Sequence, residues 1–229
     1  MGKADLHMHS TYSDGRERVE RIVTFVEQDT DLDVIAITDH DCLAGALQAR
    51  DFAARQRGRL QVIPGAEIST RDGHLLALNI ERLIPAGWSM ADTAAAIREQ
   101  GGVAIAAHPL SRWCPSVQRP VLDEISPLLD GLEAINGSFA GIGSNGYVHT
   151  VNQTVYRLAE TGGSDAHTLS AIGCAYTTFP GHSAEDLIRA LRARTTCAEG
   201  GLWPVTSFLQ YGVVAVRHRI APLRLPKPA

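Results

Sequence analysis

Six of the nine histidines in this chain stand at or just beside a short apolar run. His7 and His9 lie in ADLHMHS, His40 closes VIAITDH, His74 opens GHLLALNI, His108 follows VAIAA and His167 ends GGSDAH. Carboxylates accompany them at Asp14, Glu67 and Asp165. In a barrel or sheet of parallel strands, the C-terminal strand ends converge and would bring such side chains to one place. Imidazole and carboxylate together suit Zn, Mn and Fe ions. The set predicts a metal-dependent hydrolase with more ligands than one metal can use. His7 and His9 are two residues apart, which puts both on one face of an extended segment. A helix would separate them by about 200°.

The elements that must position these side chains can be read from hydrophobic periodicity. Ala4–Leu6, Val34–Thr38, Leu60–Ile63, Leu75–Ile80, Val103–Ala107, Leu132–Ile135 and Cys174–Phe179 read as strands. Val19–Gln28, Leu43–Gln56, Met90–Gln100, Tyr147–Leu158 and Ala184–Arg194 read as helices. Their alternation predicts an α/β protein of parallel β/α units, and about seven strands fit a barrel. A length of 229 residues suits one such domain. Residues 1–200 are expected to form it, with 201–229 as a C-terminal extension. Within that extension 205–216 should pack on the barrel, and 217–229 should be an extended, solvated tail.

Composition narrows the setting. The net charge of −4 offers no global attraction for nucleic acid. The four cysteines contain no CxxC pair and read as free thiols of a reduced compartment. Neither an apolar signal region nor a membrane-spanning run is apparent, so a cytoplasmic protein with no membrane partner is expected.

In their order along the chain, ADLHMHSTYSDG, AITDHD, IPGAEIS, GHLLAL, AAHP and GGSDAH resemble the PHP superfamily, the polymerase and histidinol phosphatase domain. The resemblance runs from Ala4 to about Phe179. It implies a single-domain, distorted (β/α)7 barrel with a trinuclear metal centre at the strand C-termini. Carried over, it implies that His7, His9, Glu67 and Asp165 hold a first ion. Glu67 would bridge to a second, completed by His74 and His108, and Asp14, His40 and His167 would hold a third. Glu67, Asp165 and His167 would also serve catalysis. Up to three Mn, Fe or Zn ions would outweigh the three carboxylates and leave a cationic centre that attracts phosphate. The activity expected is hydrolysis of a phosphomonoester or small phosphodiester by a metal-activated water.

Other residues carry weaker signals. Arg112, in AHPLSR, could hold a phosphate oxygen, and Asn136 and Ser138 could line the pocket past a strand end. Asp39 or Asp41 could orient a ligand imidazole or cap the following helix. The glycine-rich loop 137–146 contains a formal GxGxxG, but it lies alone and late in the chain and is discounted as a dinucleotide site. Only about 40 residues separate Glu67 from His108, too few for a cap domain. A small phosphorylated substrate or phosphate anion is therefore favoured over nucleic acid. The rivals are an exonuclease on short or single-stranded nucleic acid, a non-catalytic regulatory module that keeps its metals, and hydrolysis of a C–N bond. An exonuclease would need a basic, aromatic groove, of which Arg112, Trp113 and Arg119 are a hint.

Overall fold

The computed structural model describes residues 1–211. The expected tail, 217–229, and the end of the apolar stretch before it, 212–216, lie outside the described residues. The elements run β1 (Gly2–Asp5), α1 (Val19–Asp29), β2 (Val34–Ile37), α2 (Ala44–Gln56), β3 (Gln61–Thr70), β4 (Gly73–Leu78), α3 (Met90–Glu99) and β5 (Val103–Ala106). There follow α4 (Arg119–Ile125), β6 (Gly131–Asn136), α5 (Asn145–Val151), β7 (Ala159–Gly163), β8 (Ala175–Phe179), α6 (Ala184–Ala193) and β9 (Cys197–Gly200). Helix α1 shows why these segments dock. Val19, Ile22, Val23 and Val26 fall on one stripe at helical spacing, and all four are buried.

The nine strands of the described residues form one sheet in the order β7-β6-β5-β4-β3-β2-β1-β8-β9. The uniform parallel units expected from the sequence are not what forms. Strand β4 pairs antiparallel with both neighbours, and β8 does the same with β1 and β9. The sheet curls into a nearly closed barrel. At the rim where the parallel strands end, the continuations of β1 and β7 meet in a bridge between Met8 and Ala166. At the other end β8 wedges into the gap, with Gly2–Ala4 paired to Thr177–Phe179.

The seam between β7 and β8 is closed by one side chain. Thr177 Oγ1 accepts from Gly162 N and donates to Gly162 O, both at 3.0 Å. A Cβ on Gly162 would run into the Tyr176 carbonyl. Gly162→Ala is therefore expected to spread the seam and destabilise the fold by ~1–3 kcal/mol. Chemical denaturation of the two proteins checks this, and an unchanged midpoint would remove Gly162 from the seam.

The barrel interior is apolar below the rim. Ala4, Leu6, Val34, Ala36, Ile63, Leu76, Leu78, Val103 and Ile105 form one buried set with Leu187, Ala190 and Leu191 of α6. Helix α6 touches β3, β5, β7 and β8, so it plugs the end opposite the histidines. Its N-terminus is fixed by a capping box between Ser183 and Asp186. The helix expected over Tyr147–Leu158 is instead α5 followed by a π-helical turn, Asn152–Tyr156. No helix among the described residues is long and apolar enough to cross a membrane.

Candidate metal centre

The barrel rim brings all nine expected ligands together. His7 and His9 follow β1 directly and remain extended, so both reach inward while Met8 turns into the apolar core. His40 lies beyond β2, in a parallel bridge with Glu67 of β3. His74 is an exception to the expected rule, because it begins a strand. Strand β4 runs against its neighbours, so its start lies at the rim where the others end. In the β3–β4 register Glu67 faces Leu76, which makes His74 its diagonal neighbour on the same face. His108 follows β5, and Asp165 and His167 follow β7.

Glu67 is the hub, buried to 1% exposure. Its Oε2 stands 3.2 Å from His7 Nε2 and 3.3 Å from both His9 Nε2 and His40 Nδ1. Its Oε1 stands 2.7 Å from His74 Nδ1 and 3.0 Å from His108 Nε2. One carboxylate thus divides five imidazoles into two groups. Asp165 Oδ1 closes the first group, 3.6 Å from His7 Nε2 and 3.2 Å from His9 Nε2. A third corner lies around Asp14, whose Oδ2 is 3.1 Å from His167 Nε2 and 3.9 Å from His40 Nε2. His40 sits between corners and is nearer to Glu67.

The imidazoles are aimed as ligands would be. His7 Nδ1 is 3.1 Å from Glu133 Oε1, and His167 Nδ1 is 2.9 Å from the Asp165 carbonyl. Those acceptors take the Nδ1 proton and turn Nε2 inward, an arrangement typical of metal-bound histidine. His108 Nδ1 lies 3.2 Å from Cys114 Sγ, with Nε2 inward. His9 Nε2 and His74 Nδ1 are buried without a hydrogen-bond partner, although both face carboxylates. Such orphaned nitrogens have a cost unless a cation fills the gap, so the residues present fit divalent ions.

Electrostatics agrees. Burial would lower the His7 imidazolium, but Asp165, Glu133 and Glu67 outweigh it and hold it well above the usual range. Against the same burial, Cys114 and Glu67 raise His108 to about 10, and Asp14 raises His167 to about 9. Glu67 and Asp165 are held well below the carboxylate range despite burial, chiefly by His7. The metal-free site therefore keeps protons where cations would sit. Two of its backbones are strained, with φ of +30° at His108 and +52° at Asp165. Both are held by 2.7 Å hydrogen bonds, from His108 N to Glu133 Oε2 and from Asp165 N to His7 O.

The weaker expectations fare differently. Asn136 and Ser138 are fully buried, so they do not line an open pocket. Asn136 Nδ2 and Ser138 Oγ instead reach Asp165 Oδ2, at 3.3 Å and 2.8 Å, and hold that carboxylate in place. Arg112 is exposed on a cavity wall and has no ion pair among the described residues. Asp39 is buried and accepts from Ser10 N, Ser10 Oγ and Ser13 Oγ, which shapes the loop that carries Asp14. Asp41 caps the β3 edge through Ser69 N at 2.8 Å. Cys114 and Glu133 were not singled out by sequence reasoning. A lone Glu inside the apolar run GLEAIN was the available signal for the second. Trp203 adds a wall: its Nε1 donates to Ser164 O at 2.6 Å, and its ring and that of Tyr211 stand against His167.

Residues 5–109 match the PHP domain family and residues 153–196 the PHP-associated family. An uncharacterized protein of Methanocaldococcus jannaschii is 34% identical over 145 residues, 58% of this chain and 81% of its own length. The chain belongs to the PHP domain family. A 5'-3' exoribonuclease of Haemophilus influenzae is 36% identical to this PHP chain over 111 residues. That stretch is 45% of this chain but only 38% of the exoribonuclease. The fold is shared with a two-domain protein of Bacteroides vulgatus described as containing a PHP-like metal-dependent phosphoesterase. The TM-score is 0.70 at 22% identity, over 87% of this chain and 64% of that one. The matched PHP segment contains seven of the nine candidate ligands, and the PHP-associated segment contains Asp165 and His167.

Proposed function

We propose that this PHP chain is a metal-dependent phosphoesterase, a hydrolase of phosphoric ester bonds, that opens a phosphomonoester or phosphodiester at a centre of up to three divalent ions. The observation that carries this reading is Glu67, whose two oxygens face two separate groups of histidines. His7, His9, Asp165 and Glu67 would hold one ion, Glu67, His74 and His108 a second, and Asp14, His40 and His167 a third. When bound, such ions polarise a phosphoryl oxygen and lower the pKa of a water to near neutrality.

The chain's own residues prepare that chemistry. Glu133 fixes the His7 tautomer and, through His108 N, the strained turn after β5. Asn136 and Ser138 restrict Asp165, so its free oxygen stays toward His7 and His9. His167, with Nδ1 on the Asp165 carbonyl and Nε2 beside Asp14, is aimed to hold the third ion at the more open edge, where the Asp14 side chain is 44% exposed. Between β4 and β5 lie only a loop and α3, so among the described residues no inserted cap covers the rim. An open rim suits a polymer end as well as a small ester. The sequence-based preference for a small substrate over nucleic acid therefore has no support in the site.

Purified protein assayed on p-nitrophenyl phosphate and bis(p-nitrophenyl) phosphate, with elemental analysis of bound metal, tests the reading. At least one ester should turn over, the activity should vanish with a chelator, and Mn should restore it. Full metal content without turnover of either ester would leave the regulatory module as the better description.

A further inference from the structure

Past β9 the last described residues return to the metal centre. Trp203 anchors them: its backbone N donates to Gly137 O at 2.7 Å and its indole to Ser164 O at 2.6 Å. Residues 205–211 are helical. Fully buried Ser207 docks this turn, with its Oγ 2.8 Å from the Oγ of Ser170, three residues past His167.

That docking brings Tyr211 to the corner of Asp14 and His167. Its ring centroid lies 5.1 Å from that of His167, edge to face, 5.5 Å from that of Trp203 and 6.1 Å from that of Phe139. A tyrosine has only two side-chain torsions, and contact with three rings leaves it little freedom to lose on binding. Its side chain is half-buried, and the charges of Asp14 and Asp165 both bear on the phenol, which burial and those charges raise above its ordinary range. Yet those carboxylates take their hydrogen bonds from His167, Ser13, Asn136 and Ser138, and no described residue accepts from the phenol.

This corner is also the open one. The Asp14 side chain is 44% exposed and that of His40 31%, against 12% for His74, 10% for Asp165 and 1% for Glu67. An ester can reach the ions by this edge. Among the described residues Asp14 and Asp165 pair with histidines alone, so no Lys or Arg is paired there. With the carboxylates neutralised by ions, a phosphoryl oxygen projecting past them would meet a neutral donor.

We infer that the Tyr211 hydroxyl is a substrate contact, which donates to a phosphoryl oxygen of the ester bound at the corner of Asp14 and His167. The inference rests on the phosphoesterase reading and adds to it a group, outside the nine ligands, that touches the ester. It also gives the segment after the barrel a part in the site.

The test is calorimetric titration of inorganic phosphate into the metal-bearing protein, with elemental analysis of each variant. Tyr211→Phe keeps the ring contacts and removes only the hydroxyl. It should retain all its metal and bind phosphate at least about tenfold more weakly, the loss of one hydrogen bond to a charged group. Tyr211→Ala should bind it no better than Tyr211→Phe. Native affinity in Tyr211→Phe overturns the contact, and if Tyr211→Ala alone is weakened the ring is a packing wall. Loss of metal from Tyr211→Phe makes Tyr211 a support of His167 and also overturns it. So does a native protein that hydrolyses bis(p-nitrophenyl) phosphate but binds no phosphate, which leaves the phosphoesterase reading intact. Phosphate binding that depends on the hydroxyl, in a protein that hydrolyses no ester, supports an anion contact at Tyr211 and sinks that reading instead.

Discussion

Glu67→Gln is expected to strip the centre. The substitution keeps the side-chain volume inside a close-packed rim but removes the charge that both groups of histidines face. An amide offers one oxygen and cannot serve two ions as a carboxylate does. Metal content should fall to about one ion per chain or less, and turnover should drop by about a thousandfold, several kcal/mol of transition-state stabilisation. Glu133→Gln is the informative partner, since Glu133 reaches the outer nitrogen of His7, the His108 backbone amide and the Asn136 side chain, and none of the inward-facing nitrogens. Its loss should cost about 10–100-fold, as for residues that orient a ligand without touching the ion. Elemental analysis with single-turnover rates separates the two. A Glu67→Gln protein that keeps all its metal would remove Glu67 from the bridging role.

Metal loading should expel protons, and its affinity should climb steeply with pH. In the metal-free site His167 titrates at about 9 and His108 at about 10, both raised from the ordinary 6.5, with His7 also well above it. At neutral pH these imidazoles hold protons that a cation must displace, about two to three per fully loaded chain. Apparent affinity should therefore rise through pH 7 and level only near pH 9–10. Calorimetry in two buffers of different ionisation enthalpy counts the protons directly. A proton count of zero at pH 7 would contradict the geometry. The same shifts govern metal-free stability. The raised histidines contribute fully below their unfolded value and lose that contribution as pH rises through 9–10. The depressed Glu67 and Asp165 contribute above the carboxylate range and lose it in acid. Metal-free protein should thus melt highest between these limits, and added metal should remove the alkaline decline.

Several of the ligands were legible in the sequence because they end or interrupt an apolar run with a group that water would otherwise solvate. His108 after VAIAA cannot be buried there at no cost, and the same holds for His40 after VIAIT. What surrounds them was less legible. Strand β7 reads AETGG, with too little apolar or β-branched character to stand out, yet Gly162 and Gly163 are what the seam requires. A Cβ on Gly163 would strike the Glu133 carboxylate and His7. Strand β9, CAEG, is short and largely exposed, and it carries no core signal. The direction of β4 was hidden because an apolar run does not record which way it runs. Only the two-residue turn at Arg71–Asp72, between strands paired from Thr70–Gly73 onward, reveals a hairpin. Cys114 reached His108 through a loop whose path no periodicity encodes.

The seam has a consequence for how long each ion would stay. Asp165 and His167 belong to the segment that closes the barrel, held to β1 and its continuation by the short Met8–Ala166 bridge, with Asp165 N on His7 O and His9 N on Ala166 O, by Ser164 N on Asp5 Oδ1, and lower down by the Thr177 hydroxyl. Glu67 and His74 lie on a six-register ladder between β3 and β4. Brief openings of a fold begin where few backbone bonds must break. A breathing seam would carry off the Asp165 carboxylate from the first corner and the His167 imidazole from the third while the hairpin stays shut. Residence times would then be graded around the rim: short beside Asp14 and His167, long between Glu67, His74 and His108. A preparation with fewer ions than corners would be a record of that breathing, its retained metal marking the part of the barrel that seldom opens.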